Sequence, residues 1–382
     1  MQTVHVMQGR MSLKSRIERV MLLFSFFVVG SLSAGAGTLM ILALTPFVKY
    51  LKKYIWRDEV VRITLYLFLV TAFFSFFSTF FTDPFEYVSE ILKQLSWIVL
   101  AIISLKMSGR ENTLFFKIFL VSIVLCLPLV VLLPIRFQAY FPHANHLAYY
   151  CLLPLVYFLL TTTGLTRRLW VAFLLIIVVV TKSSGGLATF MMTILLFYII
   201  DKKISLKLIL QLGSSVALLL LVAHLSGALD AFIDKVTVVD FEKISKKADR
   251  YSFGSDGSLV WRMTYWLAIF REFSENSGTM QLFFGEGLKT LSHGNYIYSF
   301  MVNDPHNDYL RLLVERGIVG AIVYVCFLIK LCLVARQKYL FLLILFVPMF
   351  FGNVIVSFPY VFTFIFLISY FNKSHKSINH GE

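Results

Sequence analysis

The stretch DPHNDYLRLLVERGIVG, residues 304–320, gathers residue types that can do chemistry within an otherwise apolar chain. Pro305 precedes a helical pattern in which Leu310, Leu313, Val314 and Gly317 recur at spacings of three and four. His306 and Asn307 therefore fall at the mouth of a helix. Free backbone N–H groups and the helix dipole favour anions there and disfavour a second proton on a nearby imidazole. The imidazole of His306 then stays available as a base. The competing reading is a histidine that caps the helix or sits wetted at an interface. Gly317 and Gly320 form a Gly-x-x-Gly step, which lets another helix approach closely.

Further candidates lie upstream. Arg262, in SLVWRMTYW, has Trp266 one helical turn on, and its guanidinium fork can grip a phosphate bidentately. Its competing reading is an interfacial arginine stacked on a tryptophan. Arg136, in PIRFQAYFPHANHLAYY, shares a loop with His143, Asn145 and His146. The His-x-x-His spacing there lacks the carboxylate that would complete a zinc motif, so no metal is expected. Lys182, in TKSSGG, can bind phosphate or simply flank a membrane. Gly285 and Gly287, in FFGEGL, mark a turn.

These residues need a scaffold, and composition says which kind. The 382 residues are 58% hydrophobic and only 15% charged, with mean hydropathy +0.79. Soluble domains usually carry roughly a quarter charged residues. Long uncharged runs such as ITLYLFLVTAFFSFFSTFF match the roughly 20 residues a helix needs to cross a bilayer. The expected fold is all-α, a polytopic membrane protein. The net charge of +14 sits in short loops between apolar runs, so no nucleic-acid partner is expected. Cys126, Cys151, Cys326 and Cys332 fall inside apolar segments and read as packed thiols. The first apolar run is too long for a cleavable signal.

About twelve spans are expected from length and hydropathy. They lie near 20–33, 35–49, 63–81, 89–106, 114–133, 146–162, 168–181, 184–200, 206–223, 313–334, 339–354 and 356–371. GSLSAGAG is a weak break, so the first two can also be one long helix. One set of short loops carries roughly twenty Lys and Arg and the opposite set about two, which puts both termini in the cytoplasm. Three parts follow: residues 1–223, an N-terminal bundle of about nine helices; 224–305, a large extracytoplasmic loop; and 306–382, C-terminal helices carrying the His-Asn and Gly-x-x-Gly motif. Long loops usually carry function, so the outer face is the expected active face. A transporter or a scaffold also fits many spans. A transporter predicts charges within spans or matched repeats, and the sequence offers few of the former and no clear instance of the latter.

The motif spacing resembles the bacterial O-antigen ligase and O-antigen polymerase family. Its signature is His, then Asn, Ser or Gln, then nine residues, then Gly-x-x-Gly. His306 and Asn307 precede Asp308–Arg316 and then Gly317–Gly320, in full agreement. Arg262 with Trp266, the Gly285–Gly287 turn and YFPHANHLAYY resemble other family segments. Many members carry an arginine where Ser184 stands here, and Lys182 is the substitute charge. The resemblance implies a GT-C-like, metal-independent glycosyltransferase without cofactors, in the bacterial cytoplasmic membrane. It implies a donor glycan on undecaprenyl diphosphate, held by Arg262, Arg136 and Lys182, with Arg262 catalytic in stabilising the leaving group, Asn145 and Asn307 as further contacts, and His306 taking the proton from the acceptor hydroxyl or orienting it. HNDYLRLLVERGIVG looks more like the polymerases of O-antigen, capsule or exopolysaccharide repeat units than like ligases that load lipid A core. A polymerase implies a flippase and a chain-length regulator as neighbours.

Overall fold

The computed structural model describes residues 13–42, 54, 56–78, 84–126, 128, 137–141, 143–200, 241–249, 258–292, 296–301, 303–335 and 337–379. Among the described residues there are helices and no strand, so the all-α expectation holds. In chain order they are α1 (Leu13–Leu32), α2 (Ala34–Leu42), α3 (Glu59–Ser78), α4 (Pro84–Ser104), α5 (Gly109–Cys126), α6 (Ala144–Tyr150), α7 (Leu152–Thr161), α8 (Gly164–Val180) and α9 (Ser184–Ile200). After them come α10 (Phe241–Asp249), α11 (Ser258–Asn276), α12 (Thr279–Phe284), α13 (Asp308–Leu333), α14 (Lys338–Phe351) and α15 (Phe358–Asn379). The expected span at 206–223 and residue Arg136 lie outside the described residues.

Helix starts follow local chemistry. Asp58 opens α3: its Oδ1 accepts from the N–H groups of Val60 and Val61 at 3.0 and 3.2 Å. Ser108 and Glu111 form a reciprocal capping box at α5, with N–H···O distances of 2.6 and 3.3 Å. The break in GSLSAGAG is real. A Cβ on Gly37 would lie 2.5 Å from the Cα of Gly30, whereas a straight helix separates residues seven apart by about 10 Å. The small residues also make room for Phe358, whose ring lies 2.1 Å from where a Gly30 Cβ would stand.

Among the described residues two helical segments, Ala144–Thr161 and Asp308–Leu333, are long and apolar enough to cross a membrane. Shorter apolar helices cover 184–200, 338–351 and 358–372. The main core is built around α15, which packs on α1, α4 and α7. A second, smaller core joins Tyr265, Ile269 and Phe273 of α11 to Leu291, Tyr298 and Met301, and to Leu310 and Val314 of α13. The segment 258–301 is thus seated on the first turns of α13.

That seating has a backbone lock. Gly317 interrupts α13 with φ 66° and ψ 178°. Its missing Cβ would lie 2.3 Å from the Phe283 backbone, and the missing Cβ of Gly285 (φ 91°) 2.4 Å from the Glu315 carbonyl oxygen. The interruption frees the Val314 carbonyl, which accepts from the Glu286 N–H at 2.8 Å. The FFGEGL turn is therefore the counterpart of the Gly-x-x-Gly step. Gly320 performs the close helix approach: a Cβ there would lie 2.9 Å from Phe74 of α3.

Gly317→Ala or Gly285→Ala is expected to lower stability by roughly 2–4 kcal/mol, since left-handed strain and a backbone clash combine. Gly35→Ala, with nothing within 4 Å of the added methyl, is expected to stay within about 0.5 kcal/mol of the parent. Thermal unfolding of the three detergent-solubilised variants checks the ordering, and equal midpoints would refute the lock.

Candidate functional site

The mouth of α13 is held in an unusual conformation. His306 has φ 50°, a left-handed value that is costly for a residue other than glycine. Consecutive residues of α11 pin the chain leading into it. Tyr265 Oη donates to the Asn303 carbonyl and Trp266 Nε1 to the Pro305 carbonyl, both at 2.6 Å. Asn307 is the N-cap, its Oδ1 accepting from the Leu310 N–H at 3.0 Å. Capping thus falls to Asn307, and His306 is left to face other groups. Trp266 anchors the loop that carries His306, a role the sequence did not suggest for it.

Asp304 is the hub. Its Oδ1 accepts from the His306 N–H at 3.0 Å and from Asn353 Nδ2 at 2.9 Å. Its Oδ2 accepts from Arg311 Nη2 at 2.5 Å. Arg311 also donates through Nη1 to Ser292 Oγ at 2.8 Å and lies 3.7 Å from Glu315. Asn353 Nδ2 stands 3.3 Å from His306 Nδ1. One residue pair further on, Asp308 Oδ2 accepts from the Ile355 N–H at 3.1 Å. The turn between α14 and α15 is thereby clamped to the start of α13.

Electrostatics follow from this packing. Burial pushes the His306 imidazole below the ordinary histidine range; Asp304 opposes that, and the charges of Arg262 and Arg311 reinforce it. Burial acts to raise the Asp304 carboxyl, but Arg311 and the His306 N–H outweigh it and hold the group below the usual carboxylate range. The packing thus disfavours the charged form of His306 and favours the ionised form of Asp304.

The Arg262 guanidinium, on α11, bears electrostatically on His306. Asn145 and its loop are close by. The His143 ring lies 6.3 Å from that of His306, and His143 Nδ1 accepts from the Asn145 N–H at 3.2 Å. Lys182 is exposed, with φ 54°, on the turn between α8 and α9. That turn meets Tyr149, itself within electrostatic reach of Arg262, since a Cβ on Gly185 would lie 2.6 Å from Tyr149 Oη. Ser184 opens α9 and is exposed. Among the described residues no group of three or more His, Cys, Asp and Glu is arranged to hold a metal ion.

Sequence reasoning missed Asp304, Arg311 and Asn353. It also undercounted buried charge. Glu90, Arg311, Glu315 and Arg316 are all buried within helices. Lys93 lies 2.5 Å and Arg316 3.8 Å from Glu90. Charges at i,i+3 and i,i+4 in apolar runs, as in Glu90–Lys93 and Arg311–Glu315, were the available signal, because such charges need partners. Glu90, Lys93, Arg311 and Glu315 line a cavity of about 390 Å³ together with Lys289, Ser292 and Asp304.

Residues 169–325 match a family model described as O-antigen ligase. The match supports, over that segment, the resemblance drawn from the His-Asn and Gly-x-x-Gly spacing. The matched segment contains Arg262, Trp266, Gly285, His306, Gly317 and Gly320; Asn145 and Asn353 lie outside it. No curated protein matches the chain.

The lowered proton affinity of His306 gives a directional test. Between its folded value and about 6.5 the unfolded chain binds the extra proton and the folded chain does not, so this residue makes stability fall as pH drops through that window. Histidine-labelled protein, read by NMR against His306→Ala, is expected to show this ring titrating below the ordinary histidine value of about 6.5. A midpoint above 6.5 would contradict the buried, cation-flanked setting.

Proposed function

We propose that this chain, which carries the O-antigen ligase family's domain over residues 169–325, is a membrane glycosyltransferase that joins lipid-linked polysaccharide repeat units. The donor is glycan on undecaprenyl diphosphate, at the outer face of the bacterial cytoplasmic membrane. The observation that carries the reading is His306 held in a strained conformation at a helix mouth, within electrostatic reach of Arg262.

The membrane setting is supported by large apolar side chains on the outside of the helices, among them Leu169, Ile176, Met192 and Leu195. A soluble surface rarely exposes such continuous patches. The loop charges support about twelve spans with cytoplasmic termini. In that topology residues 224–305 and the mouth of α13 face outward, where a lipid-anchored donor can keep its tail in the bilayer and its sugar in water.

In the reaction, the acceptor hydroxyl oxygen attacks the anomeric carbon and the bond to the diphosphate breaks. Negative charge grows on the departing diphosphate. Arg262 stabilises it as a fixed, permanently charged donor, so the electrostatic work needs no metal ion. Arg136 and Lys182 are proposed as further phosphate contacts. Asn145, beside His143, is proposed to contact the sugar, and Asn307 to hold the site through its cap. His306 hydrogen-bonds the acceptor hydroxyl and sets its line of attack. A flippase and a chain-length regulator are the partners a polymerase would work beside.

A second reading has one specific observation in its favour: the matching family is described as O-antigen ligase. The acceptor would then be lipid A core.

Purified protein in liposomes, given a defined lipid-linked repeat unit with EDTA present, is expected to build a product ladder. His306→Ala and Arg262→Ala are expected to lose roughly a hundredfold or more of the rate, the scale of a removed transition-state contact. Transfer that appears only when lipid A core is added would establish the ligase. An unchanged ladder in His306→Ala would remove this site from the reaction.

A further inference from the structure

We infer that Asn353 sets the tautomer of His306, so that the neutral ring offers substrate an Nε2–H donor instead of a basic lone pair. The inference rests on the proposed transferase site and assigns a positioning role to a residue outside the matched family segment.

The argument turns on what each atom is able to donate. Asn353 lies in the turn between α14 and α15 and is buried. Its amide presents one atom, Nδ2, to two partners: Asp304 Oδ1 at 2.9 Å and His306 Nδ1 at 3.3 Å. An ionised carboxylate only accepts hydrogen bonds. Arg311 at 2.5 Å and the His306 N–H at 3.0 Å keep Asp304 ionised. The amide atom facing it must then be the nitrogen, because the reversed amide would set two oxygens 2.9 Å apart. The two hydrogens of Nδ2 are thus distributed between Asp304 and His306 Nδ1. A nitrogen that receives a hydrogen bond carries no hydrogen of its own, and in a neutral imidazole the hydrogen sits on the other nitrogen, Nε2.

The cost of this arrangement is visible. Asn353 Oδ1 is buried without a hydrogen-bond partner. Such an orphan is worth removing by an amide flip unless the flip costs more, and here the flip would forfeit a charge-assisted bond. The second anchor is the neighbouring clamp: Asp308 Oδ2 on the Ile355 N–H, at 3.1 Å, fixes the height of the turn that carries Asn353.

The consequence for the reaction is a change in the expected role of His306. With Nε2 occupied by hydrogen and Nδ1 facing Asn353, the neutral ring has no free lone pair for the acceptor proton. It aligns the hydroxyl by donating to its oxygen. As the new carbon–oxygen bond forms, the hydroxyl proton passes to the departing diphosphate, whose oxygens are anionic, and charge balances without a histidine base.

The test is a spectroscopic one with a kinetic companion. Protein labelled with nitrogen-15 histidine is read in detergent, the His306 signals being those absent from His306→Ala. The expected result is a hydrogen-free Nδ1 and a hydrogen-bearing Nε2 in the parent. Asn353→Leu, which keeps the volume and removes the donor, is expected to populate the other tautomer. It should lower kcat roughly ten- to a hundredfold with little change in KM, the range found when an orienting partner is lost. Asn353→Gln, able to restore the donor on a longer arm, is expected to recover part of kcat. Hydrogen on Nδ1 in the parent, or an unchanged tautomer in Asn353→Leu, would overturn the inference. The spectrum is independent of catalysis: a parent protein that transfers no glycan yet shows a bare Nδ1 refutes the proposed function and upholds the tautomer.

Discussion

The carboxylate of Asp304 is the interaction on which the site depends. It accepts from the backbone of His306, from Asn353 and from Arg311, and so ties the loop before α13 to the turn after α14 and to the first turns of α13 itself. Hydrogen bonds to charged groups are worth roughly 1.5–3 kcal/mol each. The left-handed backbone at His306 costs about 1–3 kcal/mol. Three such bonds outweigh one such strain, which is why the histidine can be held where an ordinary loop would relax. The strain has a use: it turns the imidazole out of the helix that Asn307 has already capped.

A second constraint fixes the distance between the segment 258–301 and α13. Two glycines, Gly285 and Gly317, bring backbone against backbone, and the Val314 carbonyl released by the interruption in α13 is satisfied by Glu286. Neither side tolerates a Cβ. Because α11 rides on the same small core as Leu310 and Val314, this lock also sets where Arg262 and Trp266 stand. The positions of the two catalytic candidates are therefore coupled through contacts that involve neither of them.

Much of this was legible in the sequence, for a physical reason. Apolar runs and their polar ends are local signals, and helices at 59–78, 184–200 and 338–351 answer to them closely. The His-Asn pair, the glycine spacing and the Arg-to-Trp turn are local as well, and they led to residues that the fold does gather. What stayed hidden depends on pairs far apart in the chain. Asn353 reaches His306 across 47 residues and Lys289 reaches Ser89 across 200. No periodicity announces such partners. Buried charge was undercounted for the same reason: the span expected at 89–106 contains Glu90 and Lys93, and their partner Arg316 lies far along the chain.

The arrangement of those buried charges bears on which group meets an anionic donor. The cavity wall beside Asp304 sets three basic side chains, Lys93, Lys289 and Arg311, against three acidic ones, Glu90, Asp304 and Glu315. Arg311 is already engaged by Asp304 and Ser292. A cluster of that kind is a scaffold, since removing one partner leaves another buried and uncompensated. It is poorly suited to gain a further double anion. Arg262 differs in position: it comes from α11, outside that wall, and its charge reaches His306 from there. Structural cations and the proposed diphosphate-binding cation are thus drawn from different parts of the chain, so binding of the proposed donor need not disturb the charges that hold the fold.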